Sequence, residues 1–490
     1  MTEETARRNG SDSTAHTGAA VPLAAMASEL RLARYAAVER ERIVATLFEW
    51  LRIPSISAEP ERAPDVAASA GFTAQLLRGA GLEHVTILDT GTGGRPGLPA
   101  VYGDWLHAGP EAPTVVVYGH HDVQPVDPLE LWTSPPFSPV LVDGECRARG
   151  AVDDKGQTLY QIEAARGLLA GDGRLPVNLK FLIEGEEEVG SPHFEALLHR
   201  EAERLACDVI VVSDTGMVAP DIPSVCIGMR GLVAFDVALR SAAGDLHSGL
   251  WGGTVPNAAR AAAEIVAALH DGDGRVTVPG FYHLVRPLTE IEQKSLAAEP
   301  FDEATYMAQA GVTALPGERG CTPIERTTVR PTAEVVGLTS GYHGPGIKTI
   351  VPASANFKLA FRLVPDQQPA DVGAAFEQWL RSQLPAGVEA VVTPEGGVAP
   401  ALTPVGHPAM GALVRAVERV WGTPPLFTRT GGSGPEEALG RVLDAPVLFL
   451  GISLPDDRFH APNERMVMDQ FWKGLLAAGE LLGELGQLGG

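Results

Sequence analysis

Four short apolar runs, at residues 114–118, 177–183, 209–212 and 447–450, are each bounded by turn signals and alternate with helical stretches such as 157–169. A continuous apolar run suits a strand covered on both faces, so the pattern predicts buried parallel strands in a helix-covered α/β sheet. Three of the runs pass directly into polar residues: Gly119-His120-His121-Asp122, then Glu184 to Glu188, then Ser213-Asp214. In open α/β sheets, sites are built outside the carboxyl ends of the strands. The polar residues therefore converge where chemistry is expected.

With 490 residues the chain exceeds one ordinary hydrophobic core, and two domains are expected. Residues 1–26 are polar, Ala-rich and punctuated by Gly and Ser, without the compact apolar core of a secretory signal, and read as a disordered leader. A helix is expected over 27–50, with Leu30, Leu32, Tyr35, Val38, Ile43 and Leu47 at helical spacing, ending at Ile53-Pro54-Ser55. A second helix over 65–79 precedes a strand at 85–88. From Gly231 the pattern changes to a strand (232–239), a long Ala-rich helix (257–269), an irregular stretch with Pro and Gly, and a strand at 355–363. Residues 231–395 are therefore read as an inserted smaller domain, with 27–230 and 396–490 forming the main one and a final helix over 469–485.

A formal net charge of −23 argues against nucleic acid, whose phosphates call for basic patches. No apolar run approaches the roughly 18 residues of a membrane span. Cys146, Cys207, Cys226 and Cys321 are widely spaced and form no CxxC pair, which is neither a disulfide scaffold nor a structural zinc site. They read as reduced thiols in the cytoplasm, and any metal must be held by histidines and carboxylates.

Candidates for that role stand at the strand ends. His120 and Asp122 share one face of a strand end while His121 points to the other; a carboxylate so placed can orient a metal-bound imidazole. Asp153, in Arg149-Gly150-Ala151-Val152-Asp153-Asp154-Lys155-Gly156, opens a helix, where an aspartate is ordinary for capping but can also bridge two cations. The acidic run Glu184-Gly-Glu-Glu-Glu-Val-Gly-Ser191 directly follows a buried strand; one Glu could ligate metal and its neighbour act as general base. Periodicity does not say which does which. Asp214 and His460, the latter in Arg458-Phe-His-Ala-Pro-Asn-Glu464, complete the set.

Taken together, Gly119-His-His-Asp-Val-Gln-Pro125, Gly150-Ala-Val-Asp-Asp-Lys-Gly156, Glu184 to Ser191, Val212-Ser-Asp214 and His460-Ala-Pro-Asn-Glu464 resemble the aminoacylase–carnosinase–glutamate carboxypeptidase family of dinuclear-metal peptidases, nearest its carnosinase-like cytosolic dipeptidases. The motifs occur in the family's order from about residue 30 onward. The resemblance implies a zinc-peptidase-like catalytic domain of mostly parallel sheet with an inserted α+β lid and dimerisation domain. It implies His120 and Asp214 on one metal, Glu188 and His460 on the other, and Asp153 bridging, with a cis peptide often following the bridging residue. Asp122 would orient His120, and Glu187 would be general base and acid.

Within the inserted segment, Asp245-Leu-His-Ser-Gly-Leu-Trp-Gly-Gly253 resembles the signature whose histidine, here His247, steadies the oxyanion in a partner subunit's site. Thr349 and Arg362 match residues that grip the substrate, Arg362 as a carboxylate clamp. Ser433 lies in the Gly431-Gly-Ser433 loop that faces the substrate's C-terminal end. Thr430 departs from the Glu carried by close carnosinase relatives. The expected activity is hydrolysis of dipeptides by a metal-activated water, with two divalent cations, zinc by default and manganese or cobalt as alternatives. The expected assembly is a homodimer through the lid, with no nucleic-acid or membrane partner. The alternatives are an N-acyl amino acid deacylase or a catalytically silent binding protein on the same fold.

Overall fold

The computed structural model describes residues 23–488; residues 1–22, in the expected leader, lie outside the described residues. The first helix, Leu23–Val38, begins within the stretch assigned to the leader. The single helix expected over 27–50 is two helices, with Glu39 (φ −91°, ψ 6°) between Leu23–Val38 and Arg40–Leu51. The break is silent in the periodicity because the hydrogen-bond ladder runs through it: Glu39 N donates to Tyr35 O and Ile43 N to Glu39 O. The apolar face therefore keeps its phase, and Ile43, Leu47 and Trp50 are all buried.

The main sheet has nine strands among the described residues. Its centre is parallel, in the order Asn178–Glu184, Thr114–His120, Val209–Val212, Val447–Phe449. These are the four apolar runs, now neighbours. Antiparallel strands extend one side (Ala100–Trp105, then Glu83–Leu88). On the other side Ser224–Met229 adds antiparallel to Val447–Phe449, and Leu426–Thr430 pairs with it in parallel. Alternation along each strand feeds two cores. Val115, Val117 and Phe181 pack in a core with Leu159 of the helix Lys155–Asp172 and Leu475 and Leu481 of the helix Met468–Gly486. Val116, Tyr118 and Leu182 pack in the other with Leu197 of Phe194–Leu205 and Leu439 of Glu436–Leu443. Coverage on both faces is what makes these runs continuously apolar.

A second sheet, all antiparallel, is ordered Thr332–Ser340, Ser354–Leu363, Gly231–Arg240, Glu389–Val398. Along Gly231–Arg240 every other residue is buried, so one face carries the core. That face meets the helices Ala258–Ala268 and Pro369–Gln383 through Val233, Phe235, Val237, Ile265 and Phe376. Its last strand runs past residue 395, to Val398.

The stretch read as irregular holds three short helices, Glu290–Ala298, Glu303–Ala310 and Pro323–Thr328, two of them opened by capping boxes at Thr289 and Thr322. They lean on the main sheet: Ser295 Oγ accepts the Phe427 N–H at 3.1 Å, and Glu292 pairs with Arg429 where both are buried. Such short helices draw their stability from packing more than from periodicity. No helix among the described residues is long and apolar enough to cross a membrane.

Candidate metal centre

His120 is the last residue of the strand Thr114–His120, Asp214 follows Val209–Val212 by two residues, and Glu187 and Glu188 lie in the turn Glu187–Val189 just past Asn178–Glu184. Three adjacent parallel strands thus deliver four carboxylates and imidazoles to one edge of the sheet. Asp153 reaches the same edge from the turn before Lys155–Asp172, and His460 from the loop before Arg465–Val467.

The acidic run is sorted by tertiary contacts. Glu184 is buried and accepts the Tyr118 hydroxyl (2.6 Å) and the Ser191 hydroxyl (2.7 Å) on one oxygen. Glu186 accepts the Leu98 N–H at 2.8 Å and pairs with His193. Glu188 is held by Gln124 Nε2 at 2.7 Å, and its own N–H donates to Asp122 Oδ2 at 3.1 Å. Glu187 lines the open cleft.

Two donor sets result, sharing Asp153. His120 Nε2 stands 3.1 Å from Asp153 Oδ1 and 3.6 Å from Asp214 Oδ2. His460 Nε2 stands 3.0 Å from Asp153 Oδ2 and 3.3 Å from Glu188 Oε2. A tetrahedral zinc with bonds of about 2.0–2.2 Å spaces its ligands by roughly 3.3–3.6 Å. The donors fit divalent cations in number, chemistry and spacing, and Glu188 Oε1 is buried without a hydrogen-bond partner among the described residues. His120 Nδ1 faces Asp122, 3.1 Å from its carbonyl oxygen and 3.4 Å from Oδ1, leaving Nε2 for the site.

The charges around the site are mutually dependent. Burial disfavours a charged His120, but Asp122, Asp153 and Asp214 outweigh it and raise its pKa well above the usual value. Hydrogen bonds to Asp153 and Glu188 push His460 up to about 10. Burial, reinforced by Asp153, lifts Glu188 to about 7, and burial with Asp214 and Glu188 raises Glu187 well above the usual carboxylate range. The carboxylates demand positive charge, which protons meet on the bare chain and cations would meet better.

The loop carrying His460 is conformationally demanding: Arg458, His460 and Asn463 all have positive φ (63°, 54° and 65°). Each such residue costs on the order of 1 kcal/mol and persists only where its surroundings enforce it. Asn463 supplies part of that enforcement, accepting the Thr133 N–H at 2.7 Å and donating to Leu131 O at 2.8 Å. Glu464 supplies more, accepting from Arg149 Nη1 (2.8 Å) and from the N–H groups of Gly150, Val152 and Asp153. Gly150 (φ +84°) leaves no room for a side chain, since a Cβ there would meet Val123 at 2.9 Å. The peptide bond between Asp153 and Asp154 is cis.

A cleft of about 630 Å³ opens over these groups, lined among others by Asp153, Glu187, Asp214, Ser433 and His460, a size suited to a small ligand. Arg362 touches its rim, donating to Ser433 Oγ at 2.9 Å, and Ser433 donates in turn to Arg230 O at 2.7 Å. His247 and Thr349 are elsewhere. Both are exposed, on the ribbon formed by Leu246–His247 and Ile350–Val351, where Ser248 N donates to Thr349 O, and neither lines this cleft.

Sequence reasoning gave no role to Glu464, Arg230 or Glu436. Glu464 was visible only as the end of the His460 motif. Arg230 is buried beside the glycine loop, donating to Gly431 O and Arg326 O. Glu436 is buried and faces the cleft; its one signal was an acidic pair opening a helix after a glycine-rich loop.

Residues 116–484 match Peptidase family M20/M25/M40. The human protein named Beta-Ala-His dipeptidase is 30% identical over 471 residues, covering 93% of this chain and 92% of that protein. Cys-Gly metallodipeptidase DUG1 of Candida albicans is 26% identical over 460 residues, covering 90% and 94%. Among solved structures, an M20 family metallo-carboxypeptidase from Sulfolobus solfataricus aligns with a TM-score of 0.80 at 30% identity, covering 91% of this chain and 99% of that one.

Proposed function

The chain belongs to peptidase family M20/M25/M40, and on that footing we propose that it is a dinuclear metallodipeptidase whose cleft cuts the peptide bond of dipeptides. It is a metal-dependent hydrolase with dipeptidases for relatives. The observation that carries the dinuclear reading is the division of Asp153, whose two carboxylate oxygens each lie within 3.1 Å of a histidine from a different donor set.

His120 and Asp214 would hold one cation, Glu188 and His460 the other, and Asp153 both. Two divalent cations, zinc by donor chemistry with manganese or cobalt as alternatives, would polarise the scissile carbonyl and acidify a water between them. Asp122 fixes the tautomer of His120. Glu187, inside the cleft and with its proton affinity raised by burial, accepts the proton of the attacking water on its carboxylate and passes it to the leaving amine. Arg362, carried to the rim by Ser433, takes the substrate's terminal carboxylate.

His247 and Thr349 serve the cleft of a partner subunit in this reading, His247 donating to the developing oxyanion. Leu250 (76% exposed) and Ile347 (93% exposed) flank them in sequence on the lid, an apolar surface suited to a second copy of the chain. The four cysteines are free, in keeping with a reducing cytoplasm.

The test is release of amino acids from free dipeptides and from their N-acetylated counterparts, with zinc or manganese supplied. Cleavage of free dipeptides is the expected result. Cleavage of the acylated compounds alone would make the protein a deacylase, and silence on all of them with either metal would make it a binding protein.

A further inference from the structure

Glu436 is the first residue of the helix Glu436–Leu443, directly after the loop that contains Ser433. Its side chain turns back over Gly434, where a Cβ would lie 2.5 Å from Glu436 Oε2. The residue is 2% exposed, yet it lines the cleft together with Asp214, Glu187 and His460. Oε2 has no hydrogen-bond partner among the described residues. The guanidiniums nearest in sequence are committed elsewhere, Arg441 to Glu437 and Glu195 and Arg429 to Glu292, and Thr430 brings no charge to the loop.

A buried carboxyl oxygen with nothing to bond is costly unless a ligand completes it. The metals do not fill this need. Glu436 belongs to neither donor set, and the four carboxylates Asp153, Glu188, Asp214 and Glu187 would by themselves balance two divalent cations. Glu436 and the partly buried Glu299 are further carboxylates lining the same cleft, and a buried one there calls for positive charge from the substrate. With the substrate's carboxylate on Arg362 and Ser433, the remaining charged end of a dipeptide is its ammonium.

We infer that Glu436 is a specificity-determining residue that accepts the free α-ammonium of the substrate, restricting the cleft to peptides with an unblocked amino terminus. This rests on the dipeptidase reading. It gives Oε2 a charge-assisted hydrogen bond when substrate is bound. It also separates Glu436 from Glu299, the other cleft carboxylate outside the donor sets and the base, which is only partly buried.

The experiment compares wild type, Glu436→Gln and Glu299→Gln. Two uncleavable ketomethylene dipeptide isosteres, one with a free and one with an acetylated amino end, are titrated into each metal-loaded protein by calorimetry. Metal content is measured alongside, and kcat and KM are determined for a free dipeptide. Glu436→Gln should weaken the free-amino isostere by about 10- to 100-fold and raise KM more than it lowers kcat. Its affinity for the acetylated isostere and its metal content should stay at wild-type levels. Equal weakening of both isosteres, loss of metal, an unchanged free-amino affinity, or the same discrimination appearing in Glu299→Gln instead would each overturn the assignment. A wild-type protein that cleaves acylated substrates alone would overturn the dipeptidase reading itself, a result legible before any variant is made.

Discussion

Glu464 Oε1 accepts the backbone N–H of Asp153 at 3.2 Å, joining residues 311 positions apart in the chain. The loop that presents His460 therefore also holds the turn that presents Asp153, and the two sides of the site are placed by one buried carboxylate. The same side chain pairs with Arg149, which is 1% exposed.

Replacing Glu464 by Gln keeps its shape and removes the charge Arg149 depends on. Leaving one partner of a buried pair uncompensated costs about 3–5 kcal/mol. The variant should unfold at a temperature lower by several degrees and bind metal more weakly, because the turn at 150–153 loses its anchor. Thermal unfolding and metal titration read both effects, and a variant matching wild type in each would remove Glu464 from this role.

Glu187→Gln should lower kcat by about 10²–10⁴-fold, the usual share of a general base. Metal content should remain that of wild type, since Glu187 is in neither donor set. Full activity in a metal-replete variant would exclude Glu187 as the proton carrier.

Metal affinity should fall as the pH falls. His460 on the bare chain titrates near 10, so at neutral pH a cation must displace its proton. Glu188, at about 7, adds a second proton below neutrality. Each displaced proton makes affinity drop about tenfold per pH unit, so the slope should steepen between pH 8 and pH 6. Competition with a chromophoric chelator at several pH values measures it, and an affinity independent of pH would contradict the proposed ligands.

If His247 works in a partner's cleft, two inactive variants should rescue one another. In a mixed dimer of His247→Ala and Glu187→Gln, one of the two clefts has both an intact Glu187 and an intact His247. Random exchange of subunits should restore about a quarter of wild-type activity. No recovery in a sample shown to contain mixed dimers would return His247 to its own subunit or remove it from the reaction.

The regularities legible in the sequence are local. Continuous apolar runs imply coverage on both faces, and the four runs are the four adjacent parallel strands at the centre of the sheet. Polar residues directly after such runs lie at one sheet edge because parallel strands end on the same side, which is why His120, Glu188 and Asp214 meet. Other features were decided only by packing. Alternation stops where the strand Asn178–Glu184 gives way to a turn, so Tyr118, Leu98 and Gln124 sort the glutamates of the acidic run. The short helices at 290–328 are ordered by capping and by the Glu292–Arg429 contact, with little amphipathic pattern of their own. Glu464 and Glu436 read in sequence as an acidic residue in a loop and another at a helix start. Hydrogen bonds from four groups of the Asp153 turn give the first its function, and the want of a partner for Oε2 among the described residues gives the second. Residue type and near neighbours were enough for the four central strands and the chemistry at their ends, because burial and ligation act locally, whereas strands such as Ala100–Trp105 and Ser224–Met229 emerged only in the fold. Which carboxylate binds, which braces and which waits for substrate depends on contacts between distant segments, and these exist only once the chain has folded.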